Sequence, residues 1–275
     1  MEKYEEIEKS IRTTYKKRIW AQFIKGIKEF EMIKDGDKIA VCISGGKDSM
    51  LLAKCMQELK KHRKMDFELV FLVMNPGYSE ENKKKIIDNS KILNIPITMF
   101  ETSIFESIER IDDHPCYVCA RMRRGYLYKQ ARALGCNKIA LGHHFDDVIE
   151  TILMGMLYGA QMQTMMPKLH STFHEGMELI RPLYYVKECD IIRWRDRNGL
   201  NFIKCACKVT EKKKLNQISS KREEVKELIE QLRKVYDKVD MNIYNSTKNV
   251  NLNTIISYVK DGETHHFMDE YDKKN

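Results

Sequence analysis

The chain has 275 residues, 43% hydrophobic and 32% charged, which supplies enough apolar material for a sizeable core and excludes disorder throughout. No window approaches the roughly 18–20 uninterrupted apolar residues of a membrane-spanning helix, and the opening MEKYEEIEKSIRTTYKKRIW lacks a signal peptide's apolar stretch, so a cytoplasmic location is expected. Forty-eight basic against 40 acidic residues leave a net charge of +8, favouring an anionic partner such as RNA, and eight cysteines without an export signal point to metal or redox chemistry rather than disulfides.

Residues 1–33 place Ile7, Ile11, Ile19, Phe23, Ile27 and Phe30 at helical spacing among Lys and Glu, predicting one amphipathic helix. KIAVCIS (38–44) reads as a buried strand, followed by a glycine turn and a helix over 48–62. FELVFLVMN (67–75) is a second strand, 79–94 a helix and IPITMFET (95–102) a third strand. Residues 116–134 read as a helix, NKIALGHH (137–144) as a strand and 146–159 as a helix. This alternation predicts a doubly wound parallel α/β sheet over 34–210, covered on both faces. After Pro167 the pattern loosens into a short strand at 178–181, a helix over 187–198 and a charged helix from about 211 to 238. The charged helix reads as a solvated face, and the tail 239–275 is expected to pack loosely.

In such sheets ligands collect outside the carboxyl ends of the strands, where Ser44-Gly45-Gly46, Asn75 and Gly142-His143 converge. Ser44-Gly45-Gly46-Lys47-Asp48-Ser49 lies between a strand and a helix. Its glycines let the backbone approach an anion, the helix dipole favours negative charge, Lys47 can neutralise phosphate and Asp48 can hold Mg2+. It differs from the GxxxxGK[ST] loop of nucleotide triphosphatases. His143, His144, Asp146 and Asp147 follow the fourth strand, where the aspartates can cap a helix or border a nucleotide and its metal.

Cys116 and Cys119 form a CxxC at a helix start, a setting that lowers thiol pKa values, and Cys205 and Cys207 form a second cluster. Four thiolates suit structural zinc and three suit an iron-sulfur cluster, and spacing alone does not choose. Cys42, Cys55, Cys136 and Cys189 read as small core residues, and the Met-rich stretch 154–169 as flexible filling. Arg121, Arg123, Arg124 and Arg132 form a basic patch behind the CxxC that Lys187, Arg193, Arg195 and Arg197 extend.

The string SGGKDS after a strand resembles the signature of the PP-loop ATP pyrophosphatases, which cleave ATP between its α and β phosphates and transfer AMP to a carbonyl oxygen. Residues 116–159, PKL (167–169) and IRPL (180–183) are together similar to the tRNA 2-thiocytidine synthetase (TtcA) group, over about residues 10–210. The resemblance implies ATP on Ser44 to Ser49 with Asn75, Gly142 and His143, Mg2+ on Asp48 and Asp146, and Lys47, Asp48, Arg123 and Asp147 as catalytic residues. It also implies a 4Fe-4S cluster on Cys116, Cys119 and either Cys205 or Cys207. Here the chain departs from the family, whose members carry a second CxxC where this chain has Cys205-Ala206-Cys207. The implied substrate is tRNA, held by Arg121, Arg124, Arg132, Lys187 and Arg193, with cytidine 32 thiolated by sulfur from a cysteine desulfurase. Homodimers are frequent in the family. The rival readings are another PP-loop tRNA modification, such as thiolation of a different base or a lysidine-type amine transfer, and a non-catalytic zinc-stabilised RNA-binding protein.

Overall fold

In a computed structural model, which describes residues 2–62, 65–108, 115–203, 220–269 and 271, the N-terminal stripe does not form one helix. It folds as α1 (Lys3–Arg12), a π-helical turn (Lys16–Trp20) and α2 (Ala21–Glu29). Ile7, Ile11, Tyr15, Ile19, Phe23 and Ile27 are all buried and spaced by four residues. On a uniform helix of 3.6 residues per turn, five such steps would rotate the stripe by about 200°. The wider π turn, which holds one extra residue, takes up about half of that drift. Thr13, which donates its hydroxyl to the Lys9 carbonyl, breaks α1 just ahead of it.

The strands then alternate with helices: β1 (Lys38–Ile43), α3 (Lys47–Lys61), β2 (Glu68–Asn75), α4 (Glu80–Ile92), β3 (Ile97–Glu101), α5 (Ile104–Ile108), α6 (Pro115–Ala133), β4 (Lys138–Ala140) and α7 (Phe145–Gly159). A hairpin-like pair, β5 (Lys168–His170) and β6 (Glu178–Ile180), precedes α8 (Glu188–Arg197). The chain closes with α9 (Lys221–Val235), α10 (Val239–Ser246) and the small hairpin β7 (Ser257–Lys260) and β8 (Glu263–His266).

The six-stranded sheet has the order β3-β2-β1-β4-β6-β5, parallel except for β5, which runs antiparallel to β6. Alternation along β1 divides two cores. Ile39, Val41 and Ile43 join the large cluster with α1, α2, α3 and α7, and Ala40 and Cys42 meet Tyr128 and Ala131 of α6 on the opposite face. Strand order reverses between β1 and β4, so their carboxyl ends open into a crevice. The doubly wound expectation therefore agrees with the observed topology.

The C-terminal segments depart from expectation. α9 is fixed to the body by buried Val225 and Ile229, and α10 buries Tyr244 and Asp240. Tyr244 is hydrogen-bonded to Tyr185 at 2.8 Å. Looser packing begins only beyond α10, where β7 and β8 are largely exposed. Cys42, Cys55 and Cys136 are buried, but Cys189 is exposed on α8 rather than in the core.

A buried ion pair fastens α1 to α3: Lys54, fully buried, donates to Glu8 at 2.5 Å and to the Leu93 carbonyl at 2.7 Å. Burial opposes the Glu8 charge, but hydrogen bonds from Lys54 and Lys61 hold its carboxyl below the ordinary value. Removing one member of such a pair typically costs about 3–5 kcal/mol, whereas replacing both with apolar groups is often neutral. We expect Glu8→Gln to lower stability in urea unfolding by about 3 kcal/mol. The double variant Glu8→Leu/Lys54→Met should recover most of that loss.

Candidate functional site

The loop after β1 is closed by one hydroxyl. Ser49 Oγ accepts from the Ser44 N–H at 3.1 Å and from the Ser44 hydroxyl at 3.2 Å, and donates to the Gly46 carbonyl at 3.0 Å. Gly45 has φ +84°, and a Cβ there would lie 2.6 Å from Ile86 and 2.8 Å from Ile203. Only glycine fits that position without displacing its neighbours. At the end of β4, a Cβ on Gly142 would come within 3.0 Å of the Ser49 nitrogen, so glycine lets this strand end abut the first turn of α3.

These ends enclose a crevice of about 470 Å³ lined by Ser44, Asp48 and Ser49, by Gly142, His143 and Asp147, and by Arg123 and Arg124 of α6. Arg181, just after β6, completes the lining. The His144 imidazole is buried between carboxylates, with Nε2 3.6 Å from Asp48 and Nδ1 3.5 Å from Asp147. Asp147 also caps α7 by accepting from the His144 N–H at 2.9 Å. Burial works against the Asp147 charge, but His144, His143 and that N–H hold its carboxyl below the usual range. Asp48 Oδ1 is buried and, among the described residues, accepts no hydrogen bond, with the Lys47 ammonium 3.2 Å away.

His143 is driven down to about 4 by burial and by nearby Arg181, so it is neutral near pH 7. Its Nδ1 accepts from Arg181 Nε at 3.4 Å. Arg181 also donates to the Met166 carbonyl, and burial lowers its pKa to about 10, leaving it charged.

Several expected site residues lie elsewhere. Lys47 is turned to the side, with its ammonium 2.8 Å from Glu188 of α8. Asp146 faces away from the crevice: it accepts from the Glu188 N–H at 2.7 Å and pairs with Arg233 at 2.7 Å. Asn75 is a turn former. Its side-chain Oδ1 accepts from the Gly77 and Tyr78 N–H groups and its side-chain amide donates to Glu101 at 2.5 Å, which positions Tyr78 to donate to the Ser44 carbonyl. Arg132 sits near the far end of α6, about 13 Å along the axis from Arg123 at 1.5 Å per residue, and does not join the patch. Lys187 pairs with Asp240 and Arg193 with Asp190, both at 3.1 Å and outside the crevice. Cys119 is half-buried against Met74, Ile104 and Ile108. The Cys116 side chain, Cys205 and Cys207 lie outside the described residues.

The sequence reading missed the ionic cover on this site. Lys226 of α9 reaches Glu188 at 2.9 Å, and Arg222 lies 3.2 Å from Glu150 and 3.8 Å from Asp147. Burial pushes Glu150 up to about 7 despite these cations. Arg181 had a signal in the string IRPL. Arg222 and Lys226 had none, since a Lys- and Glu-rich helix looks the same whether its charges meet water or a buried carboxylate.

A phosphate-sized glycine loop at a helix N-terminus, at the switch point of a parallel sheet, defines a nucleotide-binding α/β protein. The chain belongs to the PP-loop family, whose ATP_bind_3 PP-loop domain matches residues 13–225, and within it to the family of the tRNA-cytidine(32) 2-sulfurtransferases. It is 34% identical over 229 residues to the tRNA-cytidine(32) 2-sulfurtransferase of Pelobacter propionicus, covering 82% of this chain and 83% of that one. Identity to the protein of the same name from Neisseria meningitidis is 40% over 185 residues, covering 65% of this chain and spanning 57% of the relative's length. Among solved structures, the U34-tRNA thiolase NcsA of Methanococcus maripaludis with its 4Fe-4S cluster matches the fold with a TM-score of 0.64 at 20% identity, over 87% of this chain and 80% of that one. No helix among the described residues is long and apolar enough to cross a membrane.

Burial raises the Glu188 carboxyl, but hydrogen bonds and charge from Lys47 and Lys226 more than offset this and bring it to about 2. Its pairing therefore stabilises the fold above the ordinary carboxylate value of 4.5 and is lost as pH falls toward 2. We expect Glu188→Gln to reduce stability at pH 7 by about 1–3 kcal/mol. In urea unfolding, the gap from wild type should narrow as pH drops from about 5 to 2.

Proposed function

We propose that this protein is an ATP-dependent tRNA sulfurtransferase that converts a cytidine, at position 32 of the anticodon loop, to 2-thiocytidine. One observation carries the reading: the phosphate loop, two carboxylates and two arginines of the helix opened by the CxxC all line one crevice. In the proposed reaction the C2 carbonyl oxygen attacks the α phosphorus of ATP, the bond to the bridging oxygen breaks and pyrophosphate leaves. Sulfide then adds at C2, the C2–O bond breaks and AMP departs with that oxygen. Adenylylation thus turns a poor leaving group into a good one.

The residues present support this division of labour. Loop N–H groups and the α3 dipole hold phosphate, and Lys47 offsets its charge from the side. Asp48, whose buried Oδ1 accepts no hydrogen bond among the described residues and is faced by the Lys47 ammonium, and Asp147 would hold Mg2+, which takes one or two carboxylates and completes its shell with phosphate oxygens and water. Arg123 and Arg181 neutralise charge developing on the transferred phosphoryl group. Neutral His143 positions the nucleotide and carries no charge of its own.

Cys119, in an apolar setting beside the crevice-lining Met74, with Cys116 three residues earlier and Cys205 or Cys207 as a third thiol, fits a 4Fe-4S cluster. Such a cluster would supply a carrier for sulfide delivered by a cysteine desulfurase.

Nucleoside mass spectrometry of total tRNA from a strain lacking the gene should show 2-thiocytidine absent, and complementation should restore it. Cys116→Ala should fail to restore it while still binding ATP. Loss of some other nucleoside in the deletion strain would transfer the assignment to that base. An amine-transfer enzyme would keep its activity in Cys116→Ala, and a zinc-stabilised binding protein would show no ATP cleavage.

A further inference from the structure

Helix α6 presents two adjoining stripes. Ala120, Arg123 and Leu127 line the crevice, and Tyr117, Arg121 and Tyr128 face a second groove of about 560 Å³, whose other wall is formed by Leu169 to His174. Arg124 lines both, so the groove continues directly from the crevice.

The groove is built to display aromatic surface. Tyr128 is buried and stacks on His174, with centroids 5.0 Å apart and planes at 24°. The 171–177 loop is closed by hydrogen bonds from the Ser171 N–H to the Met177 carbonyl at 2.8 Å, from the His174 N–H to Ser171 Oγ at 3.1 Å and from the Met177 N–H to the His174 carbonyl at 3.1 Å. This anchored loop nevertheless holds Phe173 81% exposed, opposite Tyr117 at 69%. Arg121 and Arg124 have no carboxylate partner among the described residues, unlike Arg222 and Arg233. Among the described residues, no acidic side chain lines the groove.

Exposed aromatic rings next to unpaired guanidinium groups are the combination that binds single-stranded nucleic acid, with bases stacking and phosphates pairing. We propose that this groove is a single-stranded RNA site, in which nucleotides flanking the target base stack on Phe173 and Tyr117 while Arg121 and Arg124 hold their phosphates. The proposal rests on the tRNA reading above and adds the path by which the RNA reaches the crevice.

The test is fluorescence anisotropy of the full chain with a labelled, unmodified tRNA transcript over a salt series, with ATP affinity measured on each variant as a check of the crevice. Phe173→Ala and Tyr117→Ala should each weaken tRNA binding at least about fivefold, and Phe173→Trp should retain it. Arg121→Gln should weaken binding and reduce the slope of log affinity against log salt by about one. Because Phe173 and Arg121 are exposed, their substitution leaves the core untouched. Wild-type affinity and salt slope in all the variants would overturn the groove assignment and leave the tRNA reading standing. Equal competition by polyglutamate, which cannot stack, would also overturn it. A wild-type chain that binds ATP but no tRNA would remove the functional reading and the groove with it.

Discussion

The carboxylate of Glu188 holds the nucleotide end of this molecule together. It sits between the ammonium groups of Lys47 and Lys226, at 2.8 and 2.9 Å, and so joins the phosphate loop to a helix near the C-terminus. Its own N–H reaches Asp146, Asp146 reaches Arg233, and Arg233 reaches Asp240 at 2.8 Å. Four segments far apart in sequence are thereby fastened by half-buried charges, which bind more firmly than their exposed counterparts because water screens them less.

The placement follows from backbone electrostatics. α3, α7 and α8 carry Asp48, Asp146 with Asp147, and Glu188 with Asp190 in their first turns, where the helix dipole favours negative charge. Carboxylates gathered this densely repel one another unless cations intervene. Lys47 answers from inside the loop, and Arg222, Lys226 and Arg233 answer from α9. Asp48 and Asp147 are left at the crevice, with His144 between them.

Much of this architecture was legible in the sequence, for specific reasons. Buried strands such as residues 38–43 announce themselves as apolar runs, and the SGGKDS turn has few conformations open to it. The convergence of Ser44, Gly142 and His143 followed from the general rule for parallel sheets. Contacts between charged side chains were not legible, because a Glu or Arg on a helix carries no mark of its partner. Asp146 and Asp147 are adjacent in sequence and opposite in role for that reason: 100° of helical rotation sends one toward α9 and the other into the crevice. The π turn was hidden because its register differs from an ordinary helix by a single residue.

The small strand β5 has a consequence for the molecule's behaviour at high concentration. A parallel sheet leaves an open row of N–H and C=O groups on its last strand, ready to recruit a strand from a neighbouring chain. Here the border beyond β6 is a reversed strand of three residues bearing Lys168 and His170, and the other border, β3, runs for five residues directly after Pro96. A reversed border of three residues offers a neighbouring chain little to pair with, and Pro96 supplies no N–H to extend β3 at its start, two devices that discourage edge-to-edge association.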